Sequence, residues 1–64
     1  MRLTQVSGCN DGTCPTVYAT ERGTYVVRGA VVTDREALAS VSLPPHETLV
    51  EVPRELLLSL AAQS

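Results

Sequence analysis

Thr16-Val17-Tyr18-Ala19-Thr20-Glu21-Arg22-Gly23-Thr24-Tyr25-Val26-Val27 is the stretch on which the fold turns. Two runs dense in β-branched and aromatic residues flank a three-residue spacer that ends in glycine. Such a spacer reads as a hairpin loop whose last residue takes the left-handed conformation, where glycine has no Cβ to clash. The second run is expected to continue through Arg28-Gly29-Ala30-Val31-Val32 as one long strand. Gly29 in its middle marks a bulge, a bend, or a close approach by another backbone.

Moving toward the C-terminus, Thr33-Asp34-Arg35-Glu36 has the pattern of a capping box, with the Thr33 hydroxyl set to accept from the Glu36 amide. A short helix is predicted through Ala37, Leu38 and Val41, whose spacing places them on one face. Leu43-Pro44-Pro45 ends it, because neither proline has an N–H to donate. Thr48 to Val52 alternates, with Val50 and Val52 opposed to Glu51, as a half-buried strand does. Pro53 suits the first turn of a final helix, and Glu55 suits its positive end. On that helix Leu56, Leu57, Leu60 and Ala61 share one side with Pro53, while Leu58 points elsewhere.

Toward the N-terminus, residues 1–14 read as a polar lead-in ending in a turn at Asn10-Asp11-Gly12-Thr13, flanked by Cys9 and Cys14. The whole, residues 1–64, is expected to be one α+β domain of order β-β-α-β-α: a small antiparallel sheet, built from the hairpin plus a third strand, with a short middle helix and a C-terminal helix. Neither repeats nor a linker interrupt it.

Composition limits what such a domain can do. A chain of 64 residues buries only about 60% of the surface its unfolded form exposes. Its 44% apolar content marks it as globular, yet Tyr18 and Tyr25 are its only aromatic residues. The core must come from Val, Leu and Ala, which bring less area per side chain. Domains of this size draw help from disulfides, a metal or a partner subunit. The net charge of −2, from five arginines, no lysine and seven acids, opposes non-specific coating of nucleic acid. No apolar run approaches the roughly 20 residues of a membrane span. Met1-Arg2-Leu3-Thr4-Gln5-Val6 lacks the apolar segment of a secretory signal. A cytoplasmic location is expected.

Few residue clusters carry chemistry. Cys9 and Cys14 form a C-x4-C pair. In a reducing compartment they read first as two thiols beside a turn, with a disulfide and a metal site as alternatives. With His46 they supply three ligands to a zinc, one short of a structural site unless a dimer brings two pairs together. His46 follows two prolines in a loop, and nothing fixes a nucleophile and an acid beside it. Glu47, Glu51 and Glu55 recur every four residues, but Pro53 breaks any single helix through them, so they read as surface charges. Arg22 and Arg28 are the candidates for phosphate or carboxylate contact should the chain bind DNA as a dimer. No phosphate loop, dinucleotide fingerprint or nucleophile elbow is present, and no enzymatic activity is expected.

Two family resemblances can be laid on these residues. Thr13-Cys14-Pro15-Thr16-Val17-Tyr18-Ala19, Tyr25-Val26-Val27-Arg28 and Val50-Glu51-Val52-Pro53-Arg54-Glu55-Leu56 together resemble a family of very small actinobacterial proteins. Those are encoded beside helix-turn-helix regulators of the WhiJ type. In that family a "Cys-Val-Glu-Val-Ala" strand and a "Val-Ala-Val-Arg-Asp" strand precede a "Glu-Trp-x-x-Phe-Leu" helix; here Leu56 or Leu57 stands in place of the Trp, and Gly29 in place of the Asp. The resemblance implies a partner or antitoxin-like component of transcriptional control. Gly29-Ala30-Val31-Val32, Glu36-Ala37-Leu38, Leu43-Pro44-Pro45 and Val50-Glu51-Val52 are in turn similar to the AbrB-type swapped-hairpin antitoxins, which implies a dimeric DNA-binding protein. Thr33-Asp34 replaces that family's Ile-Pro, and Pro45-His46-Glu47 its Pro-Gly-Asp turn.

The reading favoured by these observations is a small protein-interaction module. Leu56, Leu57, Leu58 and Leu60 are its docking residues, and a helix-turn-helix regulator or a second copy of the chain is its partner. A dimeric DNA-binding antitoxin using Arg22 and Arg28, and a zinc-stabilised domain using Cys9 and Cys14, are the alternatives.

Overall fold

The computed structural model describes residues 1–9 and 13–62. Its elements run β1 (Leu3–Ser7), β2 (Thr16–Thr20), β3 (Tyr25–Arg28), β4 (Ala30–Val31), α1 (Arg35–Ala39), β5 (Val50–Glu51) and α2 (Arg54–Ala62). The class is α+β, with a three-stranded antiparallel sheet and a C-terminal helix, as expected. Of the turn expected at Asn10-Asp11-Gly12-Thr13, residues 10–12 lie outside the described residues.

The hairpin forms as its residues dictate. β2 and β3 pair antiparallel from Thr16↔Arg28 to Ala19↔Tyr25. Gly23 closes the loop at φ +79°, and the Thr20 amide donates to the Thr24 carbonyl at 3.0 Å. The Thr20 and Thr24 hydroxyls bond each other at 2.7 Å, which ties the mouth of the turn.

The third strand of this sheet is β1, not the Val50 segment. The sheet order is β1-β2-β3, and the lead-in therefore contributes an edge strand. β1 pairs Leu3↔Thr20, Thr4↔Ala19 and Gln5↔Tyr18, then slips by one residue to Ser7↔Val17. This bulge at Val6 moves Ser7 to the opposite face from the one simple alternation would give it. The same slip spoils the alternating pattern by which a strand is recognised in a sequence.

The long second strand is divided at Gly29. Beyond it, β4 leaves the first sheet and pairs with β5 through Ala30↔Glu51 and Val31↔Val50. A Cβ on Gly29 would stand 2.7 Å from Val52 Cγ1 and 2.8 Å from the Glu51 carbonyl oxygen, so the close approach allowed by glycine is real. The α1 cap also differs from the capping box. Asp34, not Thr33, is the N-cap, and its side chain makes no capping bond. That shift places Glu36 at the second helical residue rather than the third, where a capping box requires it. α1 stops at Ala39, before Val41 and the prolines, because the Ser40 hydroxyl and amide both donate to the Ala37 carbonyl, at 2.6 and 3.2 Å.

The buried set is small: Ser7, Thr16, Val17 and Leu56 among the described residues. All lie where α2 crosses the ends of β1 and β2. The accessible surface is 5127 Å², whereas a compactly folded chain of 6.8 kDa would retain roughly 4,000 Å². The radius of gyration is 13.1 Å, against roughly 11 Å for a compact domain of this length. The isolated chain carries more open surface than its mass requires.

Candidate protein-docking helix and the disulfide beneath it

α2 begins at Arg54, directly after Pro53, and its first-turn amide at Leu56 donates to the Pro53 carbonyl at 3.1 Å. Of the four leucines expected to face a partner, Leu56 does not. It is 7% exposed, packed on the sheet, and its carbonyl accepts a bond from the buried Ser7 hydroxyl at 3.1 Å. Leu60 is half-buried. Leu57 and Leu58 are 51% and 61% exposed, so the outward apolar face of α2 consists of these two. The division follows from helix geometry. Leu56 and Leu60 are one turn apart and share the inner face, whereas Leu57, expected on that side, turns outward with Leu58.

Beneath the first turn of α2 lies the mouth of the β1–β2 hairpin. Cys9 and Cys14 are joined there as a disulfide, with their Cα atoms 5.8 Å apart. The reading of two reduced thiols is thus corrected for this state of the chain. The physical reason is β1: once Leu3–Ser7 pairs with Thr16–Thr20, the two cysteines stand opposite each other across a hairpin loop, within bonding reach. The C-x4-C spacing was a signal for this, but only in the presence of the unrecognised strand. A zinc at these sulfurs would require the thiolate form, since a sulfur already in a disulfide is not available as a thiolate ligand.

The mouth is closely built. Gly8 has φ +119°, and a Cβ there would lie 2.8 Å from the Pro15 carbonyl oxygen and 2.9 Å from Thr16 Oγ1. Thr16 Oγ1 donates to the Cys14 carbonyl at 2.9 Å and accepts from the Arg28 guanidinium at 3.1 Å. Arg28 also donates to the Cys14 carbonyl at 2.7 Å. Its guanidinium is therefore engaged within the chain, holding β3 to the segment after the disulfide. Arg22 sits apart from it at the exposed hairpin turn. The structure does not bring these two arginines together.

A groove separates the hairpin mouth from the helix, with Ser7, Cys9 and Cys14 on one wall and Pro53, Leu56 and Ser59 on the other. The remaining candidate residues lie away from it. His46 and Glu47 face each other at 3.7 Å, both exposed, in the turn closed by the Glu47 amide on the Pro44 carbonyl. Glu47, Glu51 and Glu55 fall on a turn, a strand and a helix, and share no face. Among the described residues no helix is long and apolar enough to cross a membrane.

No family model, curated protein or solved structure matches this chain.

Proposed function

We propose that the chain is a small protein-interaction module that docks through α2, and that its partner is a helix-turn-helix transcriptional regulator, to which it acts as an antitoxin-like component. The observation that carries this reading is the placement of Leu57 and Leu58, half or more exposed on a helix already anchored by Leu56. An amphipathic helix presenting apolar side chains to solvent is the kind of element that lies in a hydrophobic groove. The open surface of the chain supports the same reading. Its excess over a compact domain is on the order of 1,000 Å², comparable to the roughly 800 Å² that each partner contributes to a stable interface. Where no regulator is present, a second copy of the chain is the expected occupant of the same face. The proposed location is the cytoplasm, and no catalytic activity is proposed.

The test is a single substitution. Affinity capture on the tagged chain, read by mass spectrometry, is expected to recover a helix-turn-helix protein. Leu58→Glu is expected to abolish that recovery while the circular dichroism spectrum stays unchanged, because Leu58 supports nothing inside the fold. Equal recovery by the variant would remove α2 as the docking face.

A further inference from the structure

The Cys9–Cys14 bond lies beneath the helix that the proposed function uses, and the order of the chain makes it a control on that helix. We infer that reduction of this disulfide by a dithiol releases α2 from the sheet, and so converts a two-leucine docking face into a four-leucine one. This rests on the reading of α2 as the docking element.

The buried residues lie on either side of the disulfide along the chain. Ser7 comes two residues before Cys9, and Thr16 and Val17 come two and three after Cys14. The bonds that hold α2 arise from the same short stretch: the Ser7 hydroxyl on the Leu56 carbonyl, and Leu56 itself against the strand ends. The disulfide closes the end of the β1–β2 hairpin that carries the helix. The β2–β3 hairpin meets the disulfide only through Arg28 on the Cys14 carbonyl, and it is closed at the opposite end. Its turn is tied by Thr20 and Thr24, and its ladder runs without a slip from Ala19↔Tyr25 to Thr16↔Arg28. Loss of the cross-link therefore loosens β1 and α2 before it loosens β2 and β3.

α2 does not persist once released. It has nine residues, and isolated helices shorter than about 12–15 residues are marginal in water. Undocking is thus also unwinding. It frees Leu56 and Leu60 to join Leu57 and Leu58 when the segment refolds on a partner, as segments that order on binding do.

The chemistry is ordinary thiol–disulfide exchange. A thiolate of the dithiol attacks one sulfur of the Cys9–Cys14 bond, forms a mixed disulfide and displaces the other sulfur. The second thiol of the reagent then attacks that mixed disulfide, so the reagent departs as a cyclic disulfide. Two electrons pass to the protein, and its two sulfurs take up the two protons the reagent gives up. Both cysteines are half-buried rather than enclosed, and both line the open groove, which leaves a path for the attacking thiolate. In a cytoplasm rich in such thiols the bond is conditional, which is what a switch requires.

Amide hydrogen exchange on the full chain without any partner decides the matter. Oxidised protein is compared with protein reduced by dithiothreitol, and with the Cys9→Ser/Cys14→Ser double variant, which cannot be reoxidised. Reduction is expected to speed exchange across residues 57–62 by about 30-fold, the factor that loop-closure entropy assigns to so short a ring. Exchange in the β2–β3 ladder is expected to change by less than about threefold, as a foldon that does not depend on the bond. Unchanged exchange in α2 would overturn the inference. So would equal acceleration in both segments, including outright unfolding, since the bond would then be a general staple. Failure here leaves the docking function standing, because no partner is in the tube; failure of Leu58→Glu to disturb binding would strike that function alone.

Discussion

At the scale of single residues, three glycines separate by what surrounds them. Gly23 takes φ +79° with nothing near its missing Cβ, so only the backbone angle matters there. Asparagine tolerates that region, and Gly23→Asn is expected to cost less than about 1 kcal/mol. Gly8 combines φ +119° with backbone and side-chain atoms inside 3 Å of the point a Cβ would occupy. Gly8→Ala must strain the angle and displace Pro15 and Thr16 together, for a loss of about 2–3 kcal/mol. Gly29 has the clash alone, against Val52 and the Glu51 carbonyl. Gly29→Ala is expected to open the β4–β5 pair rather than the main sheet. Thermal unfolding ranks the three, since each kcal/mol moves the midpoint of a domain this small by about 4–8 °C. A Gly8→Ala variant that melted with the parent would mean the hairpin mouth is looser than its interatomic distances imply.

At the scale of elements, α2 is anchored by the buried Leu56, with Leu60 half-buried on the same face, and by the Ser7 hydroxyl on the Leu56 carbonyl. Leu56→Ala removes the anchor, and buried Leu→Ala changes cost about 2–5 kcal/mol. Ser7→Ala removes the bond to the Leu56 carbonyl, worth about 1 kcal/mol. Leu58→Ala, on the exposed side, is expected to stay within about 0.5 kcal/mol of the parent. Urea titrations of the three variants should return that order, and a Leu58 variant as damaged as the Leu56 one would place Leu58 inside. The elements also differ in how far they could be read beforehand. The β2–β3 hairpin, the final helix and the α+β class were legible because turn chemistry, β-branching and helical spacing act over a few residues. β1 was not. Its slip between Gln5 and Ser7 hides its alternation, and a strand among polar residues has no local mark other than the neighbour it pairs with. The cap of α1 lies one residue further on because Thr33 and Asp34 are both good N-cap residues, and residue type alone does not choose between them.

At the scale of the whole molecule, the dominant fact is how little is covered. Val17 and Leu56 are the buried apolar residues among those described, while Leu3, Tyr25, Val31, Leu57 and Leu58 stand exposed. Denaturant sensitivity scales with the surface uncovered on unfolding, so a monomer of this kind should show a urea m-value below about 1 kcal/mol/M, beneath the usual range for small proteins. A clearly larger value in a solution shown by sedimentation to be monomeric would mean that these side chains find cover within the chain itself. In the presence of the partner, or at concentrations where the chain self-associates, the m-value is expected to rise as that surface is shared.

The order of amino acids was enough to specify the hairpin about Gly23, the terminal leucine helix, the α+β class and the scarcity of core, since each follows from local spacing or from composition. Three outcomes waited on the folded chain: β1 completes the sheet, Cys9 meets Cys14, and Leu56 turns inward while Leu57 and Leu58 do not. They depend on pairing between segments distant along the chain, where register and approach are set by which surfaces bury each other, and no short window of residues contains that information.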